Sequence, residues 1–123
     1  MSRPVELADV QRRVAEFGER ASLVTVNADN TPHVVSAIVM FGGDRLRSPV
    51  GSRTRTNALA HPHVTLTWQP PLGGEYMLIL DGFVEAIGDP DVDGAAEIAV
   101  RIDSGILHRQ AGLPTPGPSC ISL

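Results

Sequence analysis

Residues 52–56 read Ser-Arg-Thr-Arg-Thr, two guanidinium groups and three hydroxyls within five positions. Arginine offers a planar fork of donors that matches phosphate or carboxylate oxygens, and Ser52, Thr54 and Thr56 add hydroxyls to the set. A short helix is expected from here to Ala60, capped by Ser52 or Thr54 and stopped by Pro62. The first N–H groups of such a helix lack intrahelical partners and point at the same place, which favours an anion. The Gly-x-x-x-x-Gly-Lys pattern of a nucleotide phosphate loop is absent. Arg53 and Arg55 share a face if the segment is extended and diverge if it is helical. The plainer alternative is a solvated strand-to-helix connection.

Other reactive residue types point to less. His33, His61, His63 and His108 form no H-E-x-x-H pattern, and surface or structural roles are expected for each. No Ser-His-Asp order can be defended. Glu75, Asp81 and Glu85 lack the spacing of paired catalytic carboxylates. Trp68 and Tyr76 bracket the loop QPPLGGE, where core or interface packing outweighs a pocket-lining role. Cys120 is the only cysteine, so no intrachain disulfide forms.

The elements that hold the arginines come next. A chain of 123 residues suits one domain with one real core. With 42% hydrophobic and 20% charged residues, neither disorder nor membrane residence is indicated. The segment MSRPVELADVQRR has no apolar signal-like stretch, so a cytoplasmic location is expected. A net charge of −4 argues against a generally basic nucleic-acid binder. Charge is uneven, however: Arg45, Arg47, Arg53 and Arg55 form a basic band, and Asp81, Glu85, Asp89, Asp91, Asp93 and Glu97 an acidic shoulder.

Leu7, Val10, Val14 and Phe17 make an amphipathic stripe that predicts a helix over 5–20, with Pro4 in its first turn. ASLVTVN (21–27) alternates as a strand. ADNTP (28–32) reads as a turn with Pro32 outside the strand, and HVVSAIVMF (33–41) as the hairpin partner. RLRSPV (45–50) is a third strand, in which Pro49 favours an edge or the end of pairing. HVTLTW (63–68) and YMLILDGFVEAIG (76–88) follow, the latter with a bulge expected at Asp81-Gly82. AAEIAVRI is open between helix and strand, and SGILHRQ reads as a barrel strand. Five or six strands with tight turns and short helices indicate an antiparallel barrel or sheet. A single domain over 1–112 is expected, with 113–123 a flexible or dimer-contacting tail.

Three stretches in order resemble the pyridoxamine 5′-phosphate oxidase-like family, the flavin-binding split barrels. They are the hairpin ASLVTVNADNTPHVVSAIV, the run Ser52-Arg53-Thr54 … Asn57-Ala58 … Pro62 … Val64-Thr65-Leu66, and the long strand around Gly82. The resemblance implies a mainly β fold, a six-stranded antiparallel split barrel with short helices, and a homodimer holding its cofactor between subunits. It implies FMN as cofactor, with a deazaflavin or none as alternatives. Ser52 and Arg53 match the phosphate-binding pair, Val50 and Gly51 the strand end beside the ring, and Ser36, Ala37 and Ile38 the neighbouring strand. Asn57 matches the helix asparagine. Thr54 stands where the family commonly has lysine, leaving Arg55 to supply the charge or the corner without it. The Arg-x-His feature of pyridoxamine phosphate oxidases proper is missing, since His108-Arg109 has the reverse order. The implied function is an FMN- or deazaflavin-dependent oxidoreductase passing hydride to or from a small conjugated substrate. The alternatives are a non-catalytic cofactor or tetrapyrrole binder, and a structural dimer with a degenerate cofactor site.

Overall fold

In strand β6 (His63–Trp68) alternation places Val64, Leu66 and Trp68 inward and leaves His63, Thr65 and Thr67 on the other face. The same period runs through β2 (Arg20–Val26), β5 (Arg45–Val50) and β7 (Tyr76–Ile87), and their inward residues form one core around Leu23, Leu46, Leu66, Leu78 and Leu80. The computed structural model describes residues 2–113, so the expected tail beyond Leu113 and Cys120 within it lie outside the described residues.

With β1 (Ser2–Pro4), β3 (Pro32–Ile38), β4 (Met40–Gly42) and β8 (Ala96–Arg109), these strands make one antiparallel sheet in the order β3-β2-β6-β7-β8-β5-β4, with β1 on β8. The six long strands are those expected for a split barrel, and β1 and β4 add three residues each. Residues 96–109 are a single strand, which closes the helix-or-strand alternative. On one side β8 pairs with β7 over almost its whole length. On the other it takes β5 at residues 96–100 and β1 at 106–108. Between those partners, at residues 101–104, β8 has no strand partner on that side. At the far margin the sheet curls until the Ser48 hydroxyl of β5 donates to the Ile38 carbonyl of β3 at 2.9 Å.

Several expected boundaries shift for identifiable reasons. The N-terminal helix is shorter, a single 3-10 turn (Leu7–Asp9) and then α1 (Val10–Phe17). Residues 2–4 are drawn into the sheet, and the Val5 N–H donates to the Gly105 carbonyl at 2.8 Å, so Pro4 belongs to β1 and not to a helix. Gly18, at φ 102, ends α1. Pro32 begins β3 opposite Val26 instead of preceding the strand, a position where a missing N–H is tolerated at a sheet edge. The expected strand 33–41 is two strands: β3 runs along β2, and after Val39, whose side chain is buried and whose N–H still donates to the Glu19 carbonyl opposite it, β4 pairs with β5. β7 carries register shifts at Asp81/Gly82 and at Val84/Ala86, the first where a bulge was expected. Helix α2 (Ser52–Ala60) takes Gly51 as its N-cap, in place of Ser52 or Thr54.

Candidate functional site

At the end of β5, Val50 and Gly51 deliver the chain into α2 beside the edge strand β3. His33, Val35, Ser36 and Ala37 of β3, Pro49 and Val50 of β5, Gly51, and Ser52, Arg53 and Thr54 of α2 enclose a cleft of about 340 Å³. Sequence-expected site residues Ser36, Val50, Gly51, Ser52, Arg53 and Thr54 therefore meet in one cleft. Ile38 lies beyond it with its side chain exposed, and Arg55 and Asn57 do not line it.

Gly51 sets the chemistry of this corner. Its φ of −77° and ψ of 176° are open to any residue, so the backbone does not demand glycine. A Cβ there would have no protein atom within 4 Å and would project into open space. Gly51 also brings no side-chain cap, and the first N–H taken inside the helix is that of Arg55, donated to the Gly51 carbonyl at 3.0 Å. The N–H groups of the first turn are thus left to an outside acceptor, with the helix dipole favouring a negative one.

The four arginines of the basic band have different fates. Arg45 pairs with Glu85, and Arg47 with Glu97 at 3.4 Å. Glu85 also takes Arg101 at 3.5 Å, so the acidic shoulder neutralises this end of the band. Among the described residues, Arg53 has no carboxylate within ion-pair distance and stands exposed at the cleft. Arg55 turns elsewhere, and its Nε is buried without a hydrogen-bond partner. Thr54 is buried, so the corner offers one guanidinium, the Ser52 hydroxyl and free backbone N–H groups.

The scaffold beneath is polar and satisfied. Asn57 Nδ2 donates to Thr25 Oγ1 at 3.1 Å and to Asn27 Oδ1 at 3.0 Å, pinning α2 to β2. On the opposite flank the turn at 91–94 packs on Ser52. Gly94 has φ 83, and a Cβ on it would stand 2.9 Å from the Ser52 Cβ. The Asp91 carboxylate of that turn accepts from the N–H groups of Asp93 and Ala95, at 2.8 and 3.1 Å.

Two neighbours of the cleft escaped sequence reasoning. His33 lines it, although the histidines read as surface groups. A second cleft of about 290 Å³, lined by Asn27, Ala28, Asp29, Arg53, Thr56 and Asn57, opens on the other side of Arg53. The Asp-Asn turn was visible in sequence, but its approach to α2 depends on the Asn27–Asn57 contact thirty residues apart. Asp29 is held below the usual aspartate range, chiefly by the Thr31 hydroxyl, then by the Thr31 N–H, and to a smaller extent by the charge of Arg53. Trp68 is core, its Nε1 donating to the Gly18 carbonyl at 2.9 Å. Among the described residues, no set of three or more His, Cys, Asp or Glu side chains is placed to hold a metal ion, and no helix is long and apolar enough to cross a membrane.

A curled antiparallel sheet whose margins meet between β3 and β5, cornered by a short helix, has split-barrel architecture, and solved structures show the same architecture. An F420 reductase superposes with a TM-score of 0.65 at 22% identity, covering 78% of this chain and 95% of its own. A heme-binding protein from Mycobacterium smegmatis gives 0.68 at 14%, covering 88% of this chain and 56% of its own. A protein from Clostridium acetobutylicum related to general stress protein 26, of the pyridoxinephosphate oxidase family, gives 0.65 at 11%, covering 86% and 92%. The fold is that of the pyridoxamine 5′-phosphate oxidase-like split-barrel superfamily, matched at a distance and not to a pyridoxamine phosphate oxidase in particular.

Within that class, the chain belongs to one family with Uncharacterized protein Mb0449c of Mycobacterium bovis, to which it is 32% identical over 113 residues, 82% of this chain and 80% of the relative. Uncharacterized protein MT0457 of Mycobacterium tuberculosis matches to the same extent. No family model matches the chain.

Proposed function

We propose that the protein is an FMN- or deazaflavin-dependent oxidoreductase that passes hydride to or from a small conjugated substrate. The observation that carries this reading is the uncapped start of α2 beside the ion-pair-free Arg53, at the mouth of a cleft that Gly51 keeps open. The donor set fits a phosphate ester: Arg53 supplies a charged fork, Ser52 a hydroxyl, and the first turn of α2 its N–H groups. A bound flavin supplies the redox chemistry, taking up and releasing hydride at its ring. The chain's own part is anchoring and exclusion. Val50 and Gly51 offer a surface without bulk, and Ser36 and Ala37 present β3 as the facing wall.

Ile38 stands with Val34 and Met40 as exposed apolar side chains on and beside the edge strand. A second copy of the chain packed there would cover them and close the cleft, the homodimer this reading includes. Asn57 serves as the post that positions α2, and Arg55 stays outside the phosphate contacts. Residues 1–112 act as one domain.

A second reading, tetrapyrrole binding without turnover, is favoured by one feature, the His33 imidazole on the cleft wall. Titration of the purified chain with FMN and with hemin separates the two. Flavin fluorescence quenched to a stoichiometric end point, lost in Arg53→Ala, supports the oxidoreductase. A Soret shift lost in His33→Ala, with no flavin bound at micromolar concentration, supports the second.

A further inference from the structure

We infer that His33 is a second side-chain donor to the phosphate held at Arg53, reaching it from β3, so that the anion is gripped between the edge strand and the start of α2. The inference deepens the flavin reading above and rests on it.

The charges at the corner leave room for such a donor. A phosphate monoester carries about −1.5 to −2 near pH 7. Against it stand one guanidinium, Arg53, and the partial positive charge of the α2 N-terminus. Arg55 does not line the cleft, Thr54 brings no charge, and Arg45 and Arg47 are spent on Glu85 and Glu97. His33 and Arg53 are the two ionisable side chains among the described residues that line this cleft.

Arg53 borders two clefts, and their linings decide which one takes the anion. On the far side Arg53 meets Asn27, Asp29, Thr56 and Asn57, and its charge and that of Asp29 lie close enough to interact. The amide nitrogen of Asn27 is given to Thr31, and that of Asn57 to Thr25 and Asn27. An anion there meets a carboxylate and amides whose donors are engaged. The β3–β5 cleft, about 340 Å³, has no carboxylate in its lining, and its polar side chains besides Arg53 are His33, Ser36, Ser52 and Thr54. A phosphate on Arg53 is therefore favoured on the His33 side.

His33 is placed and free to meet it. Alternation along β3 puts His33, Val35 and Ala37 on one face, opposite Thr25, Leu23 and Ala21 of β2, and all three line the cleft. The hydroxyl oxygen of Thr25 is taken by the Asn57 amide at 3.1 Å. The imidazole is half-buried, and it makes no hydrogen bond, ion pair or ring contact with the described residues. An imidazole presents one N–H when neutral and two when protonated, so it is a donor in either state. A half-buried donor gains from an acceptor, and an anionic acceptor makes the stronger bond.

The test is titration of the full-length protein with FMN and with riboflavin, which has the same ring system and no phosphate. His33→Leu is expected to weaken FMN about tenfold, as for loss of one hydrogen bond to a charged group, and to leave riboflavin unchanged. His33→Gln keeps an N–H donor and is expected to recover most of the FMN affinity. Thermal melting identifies a folding defect in either substitution, and the other then decides. Equal weakening of FMN and riboflavin, no weakening of FMN, or a loss in His33→Gln as large as in His33→Leu overturns the inference and leaves the cofactor reading standing on Arg53. Failure of the parent chain to bind either flavin overturns both.

Discussion

Asn57 and Thr25, thirty-two residues apart, are joined by a 3.1 Å hydrogen bond in which both side chains are almost fully buried. The amide of Asn57 also reaches Asn27, so α2 is locked to β2 one turn after Arg53. Where Arg53 stands is therefore decided by the barrel and not by the loop before it. Asn57→Ala strands the Thr25 hydroxyl in the core and costs about 1–3 kcal/mol. The urea midpoint should fall accordingly, and ligand affinity should fall with it because the helix start loses its post.

On the proposed reading, Gly51 leaves room for the ligand. Its backbone angles suit any residue, and a Cβ would meet nothing of the protein. Gly51→Val should leave the melting temperature within a few degrees of the parent and abolish flavin binding. Equal losses of stability and binding would show that the glycine serves the fold instead.

Gly94 is the opposite case. Its positive φ already disfavours a side chain, and the added carbon would press on Ser52. Gly94→Ala should destabilise by about 1 kcal/mol or more and displace the start of α2. Backbone amide shifts of Ser52 and Arg53 in NMR spectra report that displacement directly.

The turn at Asp29 has a defined pH response. Its carboxylate is favoured in the folded state by the Thr31 hydroxyl first and the Thr31 N–H second, so its folded pKa lies below its unfolded one. The turn's contribution to stability is fully present above the unfolded value and is lost as pH falls through the lowered one. Removing the hydroxyl with Thr31→Val should move the Asp29 titration midpoint upward, as followed by carboxyl NMR shifts.

Much of this was legible in the sequence because it was local. The alternation from His63 to Trp68, bounded by Pro62 and Gln69-Pro70, gives β6 to the residue, and Asp81-Gly82 marks its bulge. The basic corner was legible as Ser52-Arg53 at the expected start of a short helix, and α2 begins there. What stayed hidden depends on partners distant in the chain. The break at Val39 marks where the chain passes from pairing with β2 to pairing with β5, and β1 takes the edge of β8 that β5 leaves open. The basic band read as four equal arginines. Only the register of β5 on β8, and of β8 on β7, shows that Arg45 and Arg47 face Glu85 and Glu97 while Arg53 has no ion-pair partner among the described residues.

The central claim is that Arg53 holds the phosphate of a bound flavin. The most direct measurement is the FMN dissociation constant of the parent chain and of Arg53→Ala, each set against riboflavin, which lacks the phosphate. The substitution should weaken FMN by about 1.5–3 kcal/mol, as expected for a charged hydrogen bond, and leave riboflavin unchanged. An equal effect on FMN and riboflavin, or no effect on FMN, contradicts it.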